Sequence, residues 1–157
     1  VERAFGHAVH QIGRVLGPGA ARAAASLPGA GAGGGLAFAL ALLGARLRPG
    51  AELLAELAGL DTLAAQCELL VTGGPALDPH ALHGSAVTVV AALGLSSGVP
   101  VVVVAQEVAL GRREWSTIGL AAAYAVAEDL DALDGAIADP FGSTARRSER
   151  VARTWSR

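Results

Sequence analysis

The sequence predicts an α/β protein, a parallel sheet with flanking helices, and two stretches carry that prediction. Residues 99–105 read VPVVVVA, a continuous β-branched run without alternation. Such a run fits a strand buried on both faces, as in the centre of a parallel sheet. Residues 69–86 read LLVTGGPALDPHALHGSA, a short apolar run, a polar loop broken by Gly and Pro, then an apolar helical pattern. Ligands of open parallel sheets bind outside the carboxyl ends of strands, so residues 73–85 are the first candidate site.

Composition bounds the rest. The chain has 157 residues, 52% apolar and 17% charged, enough for a real core. Its net charge is −2 and all 12 basic residues are Arg, which leaves no electrostatic footprint for nucleic acid. The single cysteine, Cys67, cannot close an intramolecular disulfide and is expected to pack as a small apolar group beside a buried strand. With no signal-peptide pattern at the start, the expected location is the cytoplasm. Residues 23–45 and 79–106 lack Asp, Glu, Lys and Arg. Pro28 and a run of glycines interrupt the first, and Ser96-Ser97-Gly98 and Pro100 interrupt the second, so both read as buried elements and no membrane span is expected. The chain opens at Val1 without an initiator Met, as a piece of a longer protein would.

Taken in order, Phe5, Val9, Ile12 and Leu16 fall at helical spacing, which predicts a helix over 1–16 ended by Gly17-Pro18-Gly19. His7 and His10 lie one turn apart on it. Two imidazoles without a third ligand make a weak metal site, and a solvated or capping role is simpler. A short helix over 20–25 leads to the glycine-rich stretch that contains Gly29, Gly31, Gly33 and Gly34, and then to an apolar helix. Backbone N–H groups in such a turn can cradle an anion, or the glycines can serve close packing. A P-loop is excluded, because it needs a Lys.

Two short helices are expected over 50–60 and 61–66, with Asp61 as N-cap of the second. Strands are expected over 68–72, 99–105 and 120–126. A helix over 84–95 begins with Ser85 as N-cap, a loop and short helix occupy 107–116, and a further helix covers 129–137. Pro140-Phe141-Gly142 marks a break before a last basic helix, on which Arg146, Arg147, Arg150, Arg153 and Arg157 form a stripe. A solvated face is the simple reading of that stripe, and docking on an acidic partner or nucleic acid the sharper one. Three parallel strands are few. They would leave two edges and a Val-rich face short of cover, so a missing segment or a second subunit is expected to complete the sheet.

Two motifs resemble a known family. PGAGAGGGLAFALALLGARLRPGAELL (residues 28–54) is similar to the PGAGAAGGLGAALLAFLGAELRPGIELV signature of type-1 glycerate kinases. CELLVTGGPALDPHALHGSAVTVVA stands where that family has ADLVITGEGRLDxQTLxGKxPxGVA, and VPVVVVA resembles its VPVIALAG strand. The likeness covers residues 1–127. It implies an ATP-dependent kinase that phosphorylates glycerate on a hydroxyl with Mg²⁺, built from two α/β domains with the active site between them. This chain would then be the C-terminal portion, an incomplete flavodoxin- or Rossmann-like domain preceded by helices of a second domain. Residues 1–48 would belong to that second, inserted domain and 49–157 to the α/β domain.

Carried over residue by residue, the likeness implies a catalytic role for Asp78. It also implies substrate or nucleotide binding by Gly29, Gly31, Gly33, Gly34, Gly73, Gly74, His80, Gly84 and Ser85, with no resident metal. The departures cluster in one loop. Where the family has Gly-Glu-Gly-Arg-Leu-Asp, this chain has Gly73-Gly74-Pro75-Ala76-Leu77-Asp78; Gln-Thr has become His80-Ala81, and Gly-Lys has become Gly84-Ser85. The loop therefore keeps one carboxylate and no cation, although Arg112 and Arg113 follow the next strand and His80 with His83 forms an HxxH pair. An alternative reading follows, in which the fold persists without catalysis and binds a metabolite or a partner protein.

Overall fold

A computed structural model describes residues 2–156 of the chain. Val1 and Arg157, expected at the ends of the first and last helices, lie outside the described residues. The chain divides into two compact units, Val1–Pro49 and Gly50–Arg157.

In the first unit, α1 (Glu2–Leu16), α2 (Pro18–Ala25) and α3 (Ala32–Leu42) enclose a small core of Ala21, Ala24, Ala30 and Phe38. Phe5 of α1 meets Phe38 edge-on, with ring centroids 5.5 Å apart. Gly33, Gly34 and Gly35 all take positive φ, a left-handed path that side chains resist, and Gly35 lies where a Cβ would come within 3.1 Å of the Phe5 ring. The left-handed path requires glycine at these three positions, and close packing against Phe5 adds to that requirement at Gly35.

The second unit is a three-layer α/β/α arrangement. Its elements are α4 (Gly50–Leu57), α5 (Leu60–Ala64), β1 (Leu70–Leu77), α6 (Ala86–Ser97), β2 (Val101–Val108), α7 (Arg112–Ser116), β3 (Ala122–Ala125), α8 (Leu130–Ala138) and α9 (Pro140–Trp155). The three strands are parallel in the order β1-β2-β3, with Leu70 opposite Val101 and Val102 opposite Ala122. The expected parallel α/β architecture is what forms, and the Val run is its central strand.

Val101, Val102 and Val103 are fully buried. Val101, Val103 and Ala105 pack with Val87 and Ala91 of α6 and Trp115 of α7. Val102 and Val104 point the other way, to Ala136 of α8 and Val151 of α9. Both connecting helices lie on one face, as two crossovers of the same hand stepping in one direction require. The expectation that the Val-rich faces lack cover is therefore wrong for β2: α8 and α9, which follow the last strand, return across the sheet and close its second face.

Other boundaries shift for physical reasons. β1 does not stop at Thr72 but runs to Leu77, so Gly73, Gly74 and Pro75 are strand residues and the loop starts at Asp78. Among the described strands β1 lies at an edge, a position where Pro is tolerated. Asp61 lies in the first turn of α5, and Gly59 is the N-cap. Pro140 occupies the first turn of α9 rather than a break before it, because its fixed φ suits a helix start. Cys67 is exposed, with Sγ 3.3 Å from the Leu63 carbonyl oxygen, not packed as an apolar group.

The arginine stripe is largely the solvated face expected, with Arg146, Arg150 and Arg153 exposed and only Arg147 mostly covered. Arg147 and Arg150 both pair with Glu128, the latter at 2.8 Å, and Arg153 pairs with Glu149 at 2.6 Å. Arg147 also lies over the Tyr124 ring, 5.2 Å from its centroid, and Trp155 Nε1 donates to Tyr124 Oη at 3.0 Å. These contacts pin α9 to the end of β3.

A Cβ added at Gly73 would run into the carbonyl oxygen of Val104 on the paired strand, whereas one added at Gly74 meets nothing within 4 Å. Gly73→Ala should cost about 1–3 kcal/mol in urea unfolding, because backbone must move to admit it. Gly74→Ala should stay within about 1 kcal/mol of the parent.

Candidate functional site

The loop at the carboxyl end of β1 is built by capping. Asp78 is extended, and its Oδ1 accepts from the Ala81 amide at 2.9 Å, which starts a 3₁₀ turn over Pro79–Leu82. Ser85 then caps α6, as the sequence predicts: its Oγ accepts from the Thr88 amide at 3.3 Å and donates to the Ala81 carbonyl at 2.5 Å. One serine thus fastens the end of the 3₁₀ turn to the start of the helix. The Leu77 carbonyl accepts from Ala109 and Leu110, at 3.0 and 3.2 Å, so the segment after β2 is tied to the end of β1.

The structure brings Asp78, His80, Gly84 and Ser85 together in this loop, at the carboxyl end of β1. Gly73 and Gly74 precede it within the strand, and Gly29, Gly31, Gly33 and Gly34 belong to the first unit. Asp78 is half-buried and His80 and His83 are exposed. Arg112 and Arg113 sit exposed in α7, and neither has an ion-pair partner among the described residues. Among the described residues no group of three or more His, Cys, Asp or Glu converges on a point that could hold a metal ion. None of their helices is long and apolar enough to cross a membrane.

Residue-by-residue reading missed a cavity of about 720 Å³ beside this loop, lined from three sides by Glu52 and Glu56 of α4, Asp61 of α5, and Val89 and Leu93 of α6. Leu82 and Gly84 of the loop also line it. The acid pair Glu52 and Glu56, one helical turn apart, was its visible signal.

The capped polar loop stands at the carboxyl end of a parallel strand, the place where open α/β sheets as a class bind ligands. The chain belongs to the glycerate kinase family, whose model matches residues 2–156. It is 32% identical over 136 residues to a glycerate kinase of Halalkalibacterium halodurans, covering 85% of this chain and 36% of that protein. It is 30% identical over 129 residues to a glycerate 2-kinase of Escherichia coli K12, covering 82% and 34%. An uncharacterized protein of Mycobacterium bovis is 34% identical over 133 residues, covering 85% and 35%. The chain spans about a third of the length of the curated relatives it matches.

Magnesium in phosphoryl transfer takes oxygen ligands, commonly one or two carboxylates together with phosphate oxygens. The loop offers the single carboxylate of Asp78, one oxygen of which is engaged in capping, and otherwise imidazole nitrogens. The described residues of this chain do not by themselves make a magnesium site.

Ser85→Ala removes both the cap of α6 and its tie to Ala81. It should lower stability by about 0.5–2 kcal/mol in denaturant titration, while Ser85→Asp, which can cap α6 but cannot donate to the Ala81 carbonyl, should recover only part of that loss.

Proposed function

We propose that the protein containing this chain transfers the γ-phosphoryl group of ATP to a hydroxyl of glycerate. The carrying observation is the family match along residues 2–156, joined by relatives named as glycerate kinases over more than four-fifths of the chain. In this reading residues 1–48 belong to the second domain of the kinase and 49–157 complete the first. A further segment or subunit extends the sheet at its edges, and the protein works in the cytoplasm. The glycine-rich stretch of Gly29, Gly31, Gly33 and Gly34 contributes to binding from the second domain. Gly73, Gly74, His80, Gly84 and Ser85 shape the floor of the site.

Asp78 is the acid–base group. Its Oδ1 holds the Ala81 amide, which fixes the carboxylate, and its other oxygen accepts the proton of the substrate hydroxyl. The hydroxyl oxygen then bonds to the γ-phosphorus as the bond to the bridging oxygen of ADP breaks, giving phosphoglycerate, ADP and a proton. Phosphoryl transfer needs cations on the developing charge. Arg112 and Arg113 are this chain's candidates, and parts of the polypeptide outside this chain supply the others.

The complete polypeptide, given ATP, Mg²⁺ and glycerate, should form phosphoglycerate and ADP in a coupled assay. No turnover and no nucleotide binding would sink the proposal. Asp78→Asn keeps an oxygen that can accept from Ala81, so its melting temperature should stay near that of the parent while kcat falls by about 10²–10⁴.

A further inference from the structure

We infer that the cavity of about 720 Å³ between α4, α5 and α6 receives the nucleoside end of the phosphoryl donor. The inference rests on the kinase reading and adds a location to it. The volume falls within the range of about 300–1,000 Å³ typical of small-molecule sites.

Its chemistry discriminates between the two substrates. The walls include Ala55, Leu82, Val89 and Leu93, an apolar surface against which a flat base can lie. The charged groups on the lining are all carboxylates, Glu52, Glu56 and Asp61, and the lining holds no Arg or His. An acid-lined cavity repels a phosphate or a carboxylate, so neither glycerate nor the polyphosphate is held there. Glu56 already has a partner, and the carboxylates of Glu52 and Asp61 accept hydrogen bonds of the kind a purine nucleoside offers from its exocyclic amine and ribose hydroxyls.

The cavity also ends in the right place. Leu82 and Gly84 belong both to its lining and to the loop after β1, so a nucleoside in the cavity points its phosphates toward that loop. There they meet the first turn of α6, whose dipole and the N–H groups that Ser85 leaves uncapped favour anions, rather than the carboxylates of α4.

Ala92 lines the cavity from an exposed position on α6, so a larger side chain there fills the space without entering the core. In the complete polypeptide, Ala92→Trp should raise KM for ATP and the Kd for ATP by about tenfold or more, with KM for glycerate unchanged. Asp61→Asn should weaken ATP by a smaller factor, and adenosine alone should compete with ATP in the parent but not in Ala92→Trp. Circular dichroism and melting temperature identify a variant that fails to fold, and Ser96→Trp, a second exposed lining position, then reads the same effect. A folded Ala92→Trp or Ser96→Trp protein that turns over with the parental KM for ATP overturns this inference and leaves the kinase reading standing. A parent protein that binds no ATP overturns both.

Discussion

Burial of β2 on both faces is the constraint from which the second unit follows. A strand that sends Val101 and Val103 one way and Val102 and Val104 the other has no solvent side, so it must have helices above and below and strands on either flank. Each fully buried valine contributes about 1.5–3 kcal/mol, and the run places several of them in succession. The helix between β1 and β2 and the helix after β2 cover one face, and the two C-terminal helices cover the other. The ion pairs of Arg147 and Arg150 with Glu128, and the Trp155–Tyr124 hydrogen bond, then hold α9 where that second face needs it.

The loop at the carboxyl end of β1 inherits its position from this sheet and its shape from two caps. Asp78 and Ser85 lie seven positions apart and divide the work: one begins a 3₁₀ turn, the other ends it and begins α6. Capping does not compete with chemistry here, since a carboxylate that accepts one amide through Oδ1 keeps a second oxygen. The loop nevertheless carries no cation of its own, and this sets it apart from the family pattern it resembles. On the proposed kinase reading, phosphoryl transfer at this place needs positive charge brought by other segments.

Much of this was legible from the residues, and what was not shares one cause. Capping and helix periodicity act over three or four residues, so Ser85 as the cap of α6 and the helices at 1–16 and 129–137 follow from local pattern. Strand ends do not. Gly73, Gly74 and Pro75 are poor strand formers, and only the ladder to Val104, Ala105 and their neighbours holds them extended. Likewise a row of arginines at helical spacing looks the same whether it faces water or Glu128, which lies in the loop after β3.

By itself, then, the sequence determined the class of fold, the central strand, the location of the loop and the family, because burial on both faces and the order of two motifs are written in neighbouring residues. Tertiary structure alone decided where β1 ends, what covers the second face of the sheet, which acids take the arginines, and that Glu52, Asp61, Val89 and Leu93 line one cavity. Those features join residues from separate elements, and chain packing, rather than local preference, sets which of them meet.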